Sequence, residues 1–294
     1  MVASMLTCVL VQAQTPPQTP PQAAAPPPAA QNPSPMVEST RVHRRIPQQE
    51  IKGQRWKLST GTLFLPESAR VRPTMPLYIH FHGAPWLAEW SVGQRDRKAA
   101  VLTVNLGSGS SVYRRGFADP GKFAALLAEA AQALSPQNPP RFQPVVISSF
   151  SAGYGAVREI LRNRDNWSRI DAVVLIDGLH TGYTTSDKPG PIETEPMQPF
   201  VGFAREAVAG RKRLIITHSE IFPGTFASTT ETADYLLAQL GLKRTPVVRW
   251  GPGGMQQLSE TRAGRFRLMG FAGNSAPDHG DQFHGMKEWL KYAR

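Results

Sequence analysis

One serine, Ser151, lies where a strand is expected to turn directly into a helix. An apolar run at residues 145–148 predicts the strand, and the pattern at residues 153–161 predicts the helix. Small residues two positions before and after this serine, Ser149 and Gly153, would let the chain turn sharply. A serine at such a turn stands exposed at a sheet edge, beside a helix N-terminus that favours negative charge. This placement predicts a nucleophile for attack on a carbonyl carbon, activated by a nearby base.

The elements that must position this serine alternate along the chain from about residue 41. Strands are predicted at residues 77–81, 100–105, 145–148, 172–176, 214–217 and 266–271, with a hairpin before them at residues 56–65. Helices are predicted at residues 120–134, 153–161, 200–209, 229–240 and 286–292. This alternation predicts an α/β fold, with a mostly parallel twisted sheet and helices on both faces. The longest insertion, about residues 181–198, is too short for a core of its own, so no large cap domain is expected.

The order of motifs along this frame resembles that of the α/β-hydrolase family. A strand that ends in His82-Gly83 comes first, followed by the strand that leads into Ser149-Phe-Ser-Ala-Gly153, and then by acidic residues and histidines. The second segment resembles the nucleophile elbow of the family, usually written G-x-S-x-G, with Ser149 in place of the first glycine. The resemblance covers residues from about 55 to 294. It implies the α/β-hydrolase fold, with Ser151 as the nucleophile.

The resemblance also implies where an oxyanion hole would lie. In the family, one backbone N–H comes from the loop after the His-Gly pair, and the other comes from the residue after the nucleophile. By position these are the N–H groups of Ala84 and Ala152, and Pro85 has no N–H to offer. His82 is expected to shape this loop.

Two histidines at the end of the same strand raise the alternative of a metal site. His80 and His82 are two residues apart, and side chains two apart on a strand face the same way. A third ligand is not evident in the sequence, so no metal is predicted. The family mechanism also needs no cofactor.

The family places its general base between the last strand and the last helix, where this sequence has two histidines. His279 is expected in a loop that contains glycine and proline, from which a side chain can reach across the sheet edge. His284 is expected at the start of the last helix, where it would cap or pack. His279 is the favoured base, and His284 stays open as the alternative.

Two carboxylates fit the third role of a Ser-His-acid triad, and the sequence does not choose between them. Glu220 follows the strand at residues 214–217, where the family usually carries its acid. Asp177 ends the preceding strand, where some members carry it. One of the two is expected to be catalytic, and Asp281 is the next candidate.

The N-terminal part of the chain has a different composition. Residues 1–14 hold a short apolar run followed by small residues, a pattern typical of the later part of a secretory signal peptide. Residues 15–40 are rich in proline and predict an extended linker, which leaves residues 41–294 as the α/β-hydrolase domain. We expect an exported protein, periplasmic or secreted, with a lipoprotein signal at Cys8 as an alternative. No apolar run is long enough to predict a transmembrane helix.

The chain is basic, with a net charge of +11 from 33 Lys and Arg against 22 Asp and Glu. The basic residues are scattered, which predicts a solvated positive surface that attracts anions over a distance. No nucleic-acid-binding motif accompanies them, so no nucleic-acid partner is expected. With Cys8 as its single cysteine, the chain has no internal disulfide, and packing must stabilise the fold.

Together these patterns predict a serine hydrolase, with a carboxylic ester as the expected substrate. The ester would be a small molecule or would be linked to a polymer, and Ser151 would carry the acyl group. Acyl transfer and peptide cleavage on the same triad are alternatives, as is a non-catalytic envelope binding protein on the same scaffold. The oligomeric state stays open. Four aromatic residues are expected in loops that line the pocket: Trp86, Trp90, Tyr113 and Tyr183.

Overall fold

The computed structural model of the protein describes residues 42–294. The predicted signal peptide at residues 1–14 and the predicted linker at residues 15–40 lie outside the described residues, so both stay predictions. Within residues 42–294, no helix combines the length and the apolar character needed to cross a membrane.

Ten strands of the described chain form one mixed sheet. They are β1 (Gly53–Lys57), β2 (Thr62–Pro66), β3 (Thr74–Phe81), β4 (Ala100–Val104), β5 (Arg141–Phe150), β6 (Ala172–Ile176), β7 (Arg213–His218), β8 (Thr245–Trp250), β9 (Gln256–Ala263) and β10 (Phe266–Phe271). Their order across the sheet is β1-β2-β4-β3-β5-β6-β7-β10-β9-β8. The central strands from β4 to β10 pair in parallel, whereas the outer pairs are antiparallel. The prediction of a mostly parallel sheet is confirmed.

Helices connect the parallel strands, because each such connection must return the chain to the same end of the sheet. They are α1 (Pro85–Gly93), α2 (Ser110–Gly116), α3 (Lys122–Leu134), α4 (Tyr154–Arg162), α5 (Gln198–Val208), α6 (Thr229–Leu240), α7 (Ala276–His284) and α8 (Met286–Leu290). All five predicted helices are present, with bounds that differ by a few residues. Helices α1, α2 and α7 were not predicted.

Side chains that alternate along the strands build a hydrophobic core on each face of the sheet. On β3, Leu77, Ile79 and Phe81 join one core cluster, whereas Tyr78 joins the other. Helices α2 to α6 complete the first cluster, and α1 and α8 complete the second. The sheet is therefore covered by helices on both faces, as predicted, and most residues of its central strands are buried.

Helix α7 occupies residues that were expected to form a loop. Pro277 is tolerated because it lies in the first turn, where its missing N–H is not needed. Ser275 and Asp278 form a capping box that fixes the start of the helix. The prediction that His279 lies in a loop and that His284 begins a helix was therefore wrong. His279 lies inside α7, and His284 is its last residue.

The insertion between β6 and α5 adds no second layer in the described chain. Its ordered features are an isolated bridge between Tyr183 and Ile192 and a short 3-10 turn at Glu195–Met197. This agrees with the expected absence of a large cap domain, and the carboxyl ends of the central strands stay accessible.

Candidate active site

Ser151 lies at a sharp turn between β5 and α4. Strand β5 ends at Phe150, a 3-10 turn spans Ser151–Gly153, and α4 follows at once. The φ of Ser151 is 47°, a left-handed conformation that costs a residue with a side chain roughly 1–2 kcal/mol. Gly153 permits the turn, because a Cβ there would lie 2.2 Å from the carbonyl oxygen of Phe81. The turn has the form of a nucleophile elbow and leaves Ser151 partly exposed.

Three residues with left-handed backbone conformation lie at the ends of neighbouring strands. They are His82 after β3 (φ 71°), Ser151 after β5 (φ 47°) and Asp177 after β6 (φ 42°). Among residues 42–294 these are the non-glycine residues with a positive φ. Backbone strain of this kind concentrates at functional sites. It marks the carboxyl ends of β3, β5 and β6 as the candidate site.

Asp177 is buried, and both of its carboxylate oxygens accept hydrogen bonds. Oδ2 lies 2.7 Å from Nδ1 of His279 and 2.8 Å from Oγ of Ser219. Oδ1 accepts from the N–H of Ser219 at 2.8 Å and from Oγ1 of Thr229 at 3.0 Å. Burial by itself raises the pKa of Asp177, but the hydrogen bond and charge of His279, together with Ser219, lower this pKa to about 2. Asp177 is therefore an ionised carboxylate that orients the imidazole of His279.

His279 and Ser151 line one cavity together with Asp177. The described chain contains no hydrogen bond between the side chains of Ser151 and His279, and such bonds are often long before a substrate binds. Because Asp177 holds Nδ1 of His279, the other ring nitrogen, Nε2, is left to accept a proton. The structure thus brings three of the sequence candidates, Ser151, His279 and Asp177, to one place.

Glu220, the second candidate acid, lies apart from this group. It is exposed to solvent, and its backbone N–H donates to the carbonyl oxygen of Gly273 at 2.9 Å. Its side chain forms no ion pair with a described histidine. Of the two acids that the sequence left open, the geometry favours Asp177 over Glu220.

His284, the alternative base, is also occupied elsewhere. Its Nδ1 accepts a hydrogen bond from the N–H of Ile46 at 3.0 Å, and its ring packs edge-on against Trp86. His284 lines neither cavity at Ser151. Its contacts therefore indicate a structural role at the end of α7.

Two cavities meet at Ser151. The small cavity, of about 230 Å³, is lined by His279 and Asp177 and by apolar residues, which are Ile221, Pro223, Phe226 and Ala276. The large cavity, of about 680 Å³, has polar and charged lining residues that include Ser110, Arg114, Arg158 and Glu193. Ser151, His180 and Phe226 line both cavities. A substrate with one arm in each cavity would present its central bond to Ser151.

The predicted oxyanion donors differ in their surroundings. Ala152 is the second residue of the turn at Ser151, where an N–H has no acceptor within the helix, and it lines the large cavity. The N–H groups of His82 and Gly83 already donate within the protein, each at 3.0 Å. The N–H of Ala84 donates to no described residue, but Ala84 lines neither cavity. Both assignments stay predictions.

His80 holds the loop that carries His82. Its Nε2 lies 2.7 Å from the carbonyl oxygen of His82, and its Nδ1 lies 2.9 Å from Oγ of Ser148. Burial lowers the pKa of His80 to about 3, although the hydrogen bond to His82 opposes the effect. The ring is therefore neutral, and Nε2 is the donor because a carbonyl only accepts. Both nitrogens of His80 are in use, so His80 and His82 do not form a pair of free metal ligands.

A series of packed rings joins His279 to this loop. The ring of His279 lies 4.5 Å from that of Phe150, which stacks at 4.9 Å on Phe283. Phe283 in turn stacks at 4.9 Å on His80, with the two planes 5° apart. The His279 ring is tilted by 31° on Phe150, and this contact limits its rotation.

Another group of possible metal ligands lies away from Ser151. His43, Asp278 and Asp281 place one ligand atom each within 4.8 Å of one another. Nδ1 of His43 is 2.7 Å from Asp281, and Nε of Arg45 is 3.5 Å from the same carboxylate. Asp278 accepts a hydrogen bond from Oγ of Ser275 at 2.7 Å. Because Asp281 already contacts His43 and Arg45, and Asp278 belongs to the capping box of α7, we interpret this group as the junction between the segment before β1 and α7.

The aromatic residues expected in pocket loops lie elsewhere, so that prediction was wrong. Trp86 and Trp90 lie in α1, Tyr113 is buried in α2, and Tyr183 bonds to Glu231. None of the four lines a cavity at Ser151.

Three cavity residues were not singled out from the sequence: His180, Arg158 and Phe226. His180 follows Asp177 within one short loop, so its closeness to a candidate acid was an available signal. Arg158 follows Tyr154 by one helical turn of α4, which places both on one face. Phe226 belongs to an irregular loop, for which the sequence offers no comparable signal.

The strand order, the elbow after β5 and the positions of Asp177 and His279 after β6 and β10 are those of the α/β-hydrolase fold. The resemblance drawn from the sequence is confirmed at the level of the fold. No family model matches this chain, and no curated protein matches it.

Solved structures similar to this chain include three esterases. A zinc-bound, cold-adapted esterase from an Arctic intertidal metagenomic library is 15% identical over 83% of this chain and 95% of its own, with a TM-score of 0.46. An arylesterase is 13% identical over 85% of this chain and 87% of its own, with a TM-score of 0.44. The enterobactin esterase of Shigella flexneri is 12% identical over 84% of this chain and 61% of its own, with a TM-score of 0.47.

Proposed function

We propose that the protein is a serine hydrolase that cleaves carboxylic esters through an acyl-enzyme on Ser151. The observation that carries the proposal is the 2.7 Å contact between Asp177 and Nδ1 of His279, in a cavity that Ser151 also lines. A serine hydroxyl is a weak nucleophile, so it needs an adjacent base. That base in turn needs a carboxylate to fix its tautomer and to stabilise its charged form. The buried, ionised Asp177 fits this role.

In the acylation step, Nε2 of His279 removes the hydroxyl proton while Oγ of Ser151 forms a bond to the carbonyl carbon. The carbonyl oxygen becomes an oxyanion, which the N–H groups of Ala152 and Ala84 stabilise. The bond to the leaving oxygen then breaks, and His279 gives its proton to the departing alcohol. Water attacks the acyl-enzyme by the same route, releases the acid and restores the serine hydroxyl.

The test combines a covalent probe with a set of model substrates. A fluorophosphonate probe should label the wild type, and p-nitrophenyl esters of graded chain length should be hydrolysed. Ser151→Ala should lose both properties and keep the thermal unfolding of the wild type. Ser168→Ala, at an exposed position that lines neither cavity, is the matched control and should keep both. Unchanged ester hydrolysis by folded Ser151→Ala would contradict the proposal.

The same measurements separate the alternatives left by the sequence. A binding protein without catalysis would not react with the probe in its wild-type form. An acyltransferase would pass the acyl group to an added alcohol rather than to water, and product analysis would detect the new ester. A peptidase would cleave p-nitroanilides at rates comparable to those for the esters.

We further propose that the protein is exported and that residues 15–40 tether the folded domain. The apolar start of the chain and its proline-rich continuation support this proposal. Mass spectrometry of the protein from its native host should find a mature N-terminus near Gln14 or Thr15. An intact cytoplasmic chain that starts at Met1 would contradict it.

A further inference from the structure

Arg158 is a largely buried cation without a hydrogen bond in the described chain. Its side chain is 11% exposed, and its Nε atom has no hydrogen-bond partner. Its ion pair with Glu159 is long, at 3.7 Å, and Glu159 is shared with Arg162, which lies closer at 3.3 Å. Burial of a charge is costly unless hydrogen bonds satisfy it. The guanidinium lies over the ring of Tyr154 at 5.4 Å, and its terminal nitrogens form no hydrogen bond with the described chain. These unused donors indicate a place for a ligand that accepts hydrogen bonds.

The large cavity gives such a ligand access to Arg158. Arg158 and Arg114 both line this cavity, on which Ser151 also opens. Arg114 is exposed and forms no ion pair with a described residue. Glu193 is the acidic residue of the lining, and within residues 42–294 it pairs with neither arginine. Among the lining residues, two cations stand beside one anion, so the wall of the cavity offers more positive than negative side chains to an anionic group.

The position of His279 decides which part of an ester enters each cavity. The residue that protonates the leaving alcohol must contact its oxygen. His279 lines the small cavity and does not line the large one. The alcohol part therefore lies in the small cavity, against apolar side chains such as Ile221 and Phe226. The acyl part extends into the large cavity, toward Arg158.

We propose that the substrate is an ester whose acyl chain ends in a carboxylate, a half-ester of a dicarboxylic acid with an apolar alcohol part. The inference rests on the proposed function, because the roles of Ser151 and His279 set the orientation. A guanidinium matches a carboxylate through two parallel N–H···O bonds, and the charge assistance makes such bonds strong. Arg158 supplies this partner from the cavity wall, and Arg114 adds a second cation at the exposed side.

The test uses two activated esters that differ by one charge. They are 4-nitrophenyl hydrogen glutarate and its methyl ester, 4-nitrophenyl methyl glutarate. In the wild type, kcat/KM should be at least about tenfold higher for the charged ester. The ratio of the two kcat/KM values should fall by about tenfold or more in Arg158→Gln and by a smaller factor in Arg114→Gln, because an exposed charge contributes less. Arg115→Gln is the matched control, since this exposed neighbour lines neither cavity, and it should leave both rates unchanged.

A binding measurement separates this inference from the proposed function. In calorimetric titrations, glutarate should bind to Ser151→Ala and should not bind to Ser151→Ala/Arg158→Gln. If the wild type hydrolyses neither ester while glutarate binding still depends on Arg158, the proposed function is wrong and the anion site stands. If both esters react equally and glutarate does not bind, the anion site is wrong and the esterase stands. If both Arg114→Gln and Arg158→Gln still prefer the charged ester to its methyl ester, the assignment of the anion site is also wrong. Should Arg158→Gln fail to fold, Arg114→Gln alone still tests the assignment.

Discussion

Gly178 and Ser151 are in backbone contact at the candidate site. A Cβ at Gly178 would lie 2.4 Å from the carbonyl oxygen of Ser151 and 2.7 Å from its nitrogen. Because Gly178 directly follows Asp177, the segment that carries Asp177 also packs against the backbone of Ser151. A side chain at position 178 must displace the turn at Ser151.

Gly178→Ala is therefore expected to lower kcat by at least about tenfold, because misplacement of a nucleophile by about 1 Å can cost on the order of 100-fold. Circular dichroism should show that the variant is folded. Gly93→Ala is the control, since a Cβ there meets nothing within 4 Å, and its kcat should match the wild type. A folded Gly178→Ala with wild-type kcat would show that the contact does not position Ser151.

The two candidate acids should separate clearly by mutation. Asp177→Asn should lower kcat by roughly 10³–10⁴-fold, because the amide cannot stabilise the charged form of His279. Glu220→Gln should stay within about twofold of the wild type, because its exposed side chain contacts no catalytic group. Steady-state kinetics on a p-nitrophenyl ester measures kcat of both variants. A large loss of kcat in Glu220→Gln and a small one in Asp177→Asn would assign the acid to Glu220.

Mutation of the two candidate bases should have different effects: loss of His279 should lower activity, and loss of His284 should lower stability. His279→Ala should be as damaging to kcat as Ser151→Ala, because residues that act as one unit are not additive. His284→Ala should keep kcat but lower the free energy of unfolding by about 0.5–1.5 kcal/mol, since the N–H of Ile46 loses its acceptor. Kinetics and urea unfolding on the same preparations test both statements. An inactive His284→Ala beside an active His279→Ala would reverse the assignment.

The fold should lose stability as the pH falls below about 6.5. Burial lowers the pKa of His80 to about 3, and burial together with the charge of Arg244 lowers the pKa of His218 to about 4. In the unfolded chain both histidines take up protons near pH 6.5. Between about pH 6.5 and 4 the unfolded state thus binds protons that the folded state does not. The free energy of unfolding should fall by up to about 1.4 kcal/mol per pH unit for each histidine.

Urea unfolding curves over this pH range measure the slope directly. His218→Gln should reduce the slope of the free energy of unfolding against pH by the contribution of up to one proton, about 1.4 kcal/mol per pH unit. Glutamine does not titrate, and its side-chain oxygen still offers an acceptor to Arg244. A slope that is the same in the wild type and in His218→Gln would contradict this origin. Asp177 adds a separate loss of stability at lower pH, between about 4 and 2, because its pKa in the folded state is about 2.

The central strands were predictable because a strand that is buried on both faces appears in the sequence as a continuous apolar run. Strand β6 is a run of five buried apolar residues, and its predicted bounds match Ala172–Ile176. Strand β8 was missed because it is a mostly exposed edge strand, and its sequence Thr-Pro-Val-Val-Arg-Trp lacks the apolar alternation of a half-buried strand. Helix α7 was missed because Pro277 and Gly280 were interpreted as loop signals, although Ser275 and Asp278 have the spacing of a capping box.

The candidate site was predictable only where its geometry is local. The turn at Ser151 follows from small neighbours between a strand and a helix, so short-range sequence was enough. The choice between Asp177 and Glu220 depends on which side chain meets His279, about a hundred residues away in the chain. Arg158 lies on a helix that also packs on the core, and its cavity is built from separate loops. No short pattern encodes such contacts.

The rings of His279, Phe150, Phe283 and His80 pack in series, so the His279 ring and the loop at His82 share one continuous set of contacts. One end is the imidazole that contacts Asp177, and the other holds the loop at His82. Separation of these rings would remove a packing contact from both ends. On heating, we therefore expect the contact between His279 and Asp177 and the loop at His82 to be lost together.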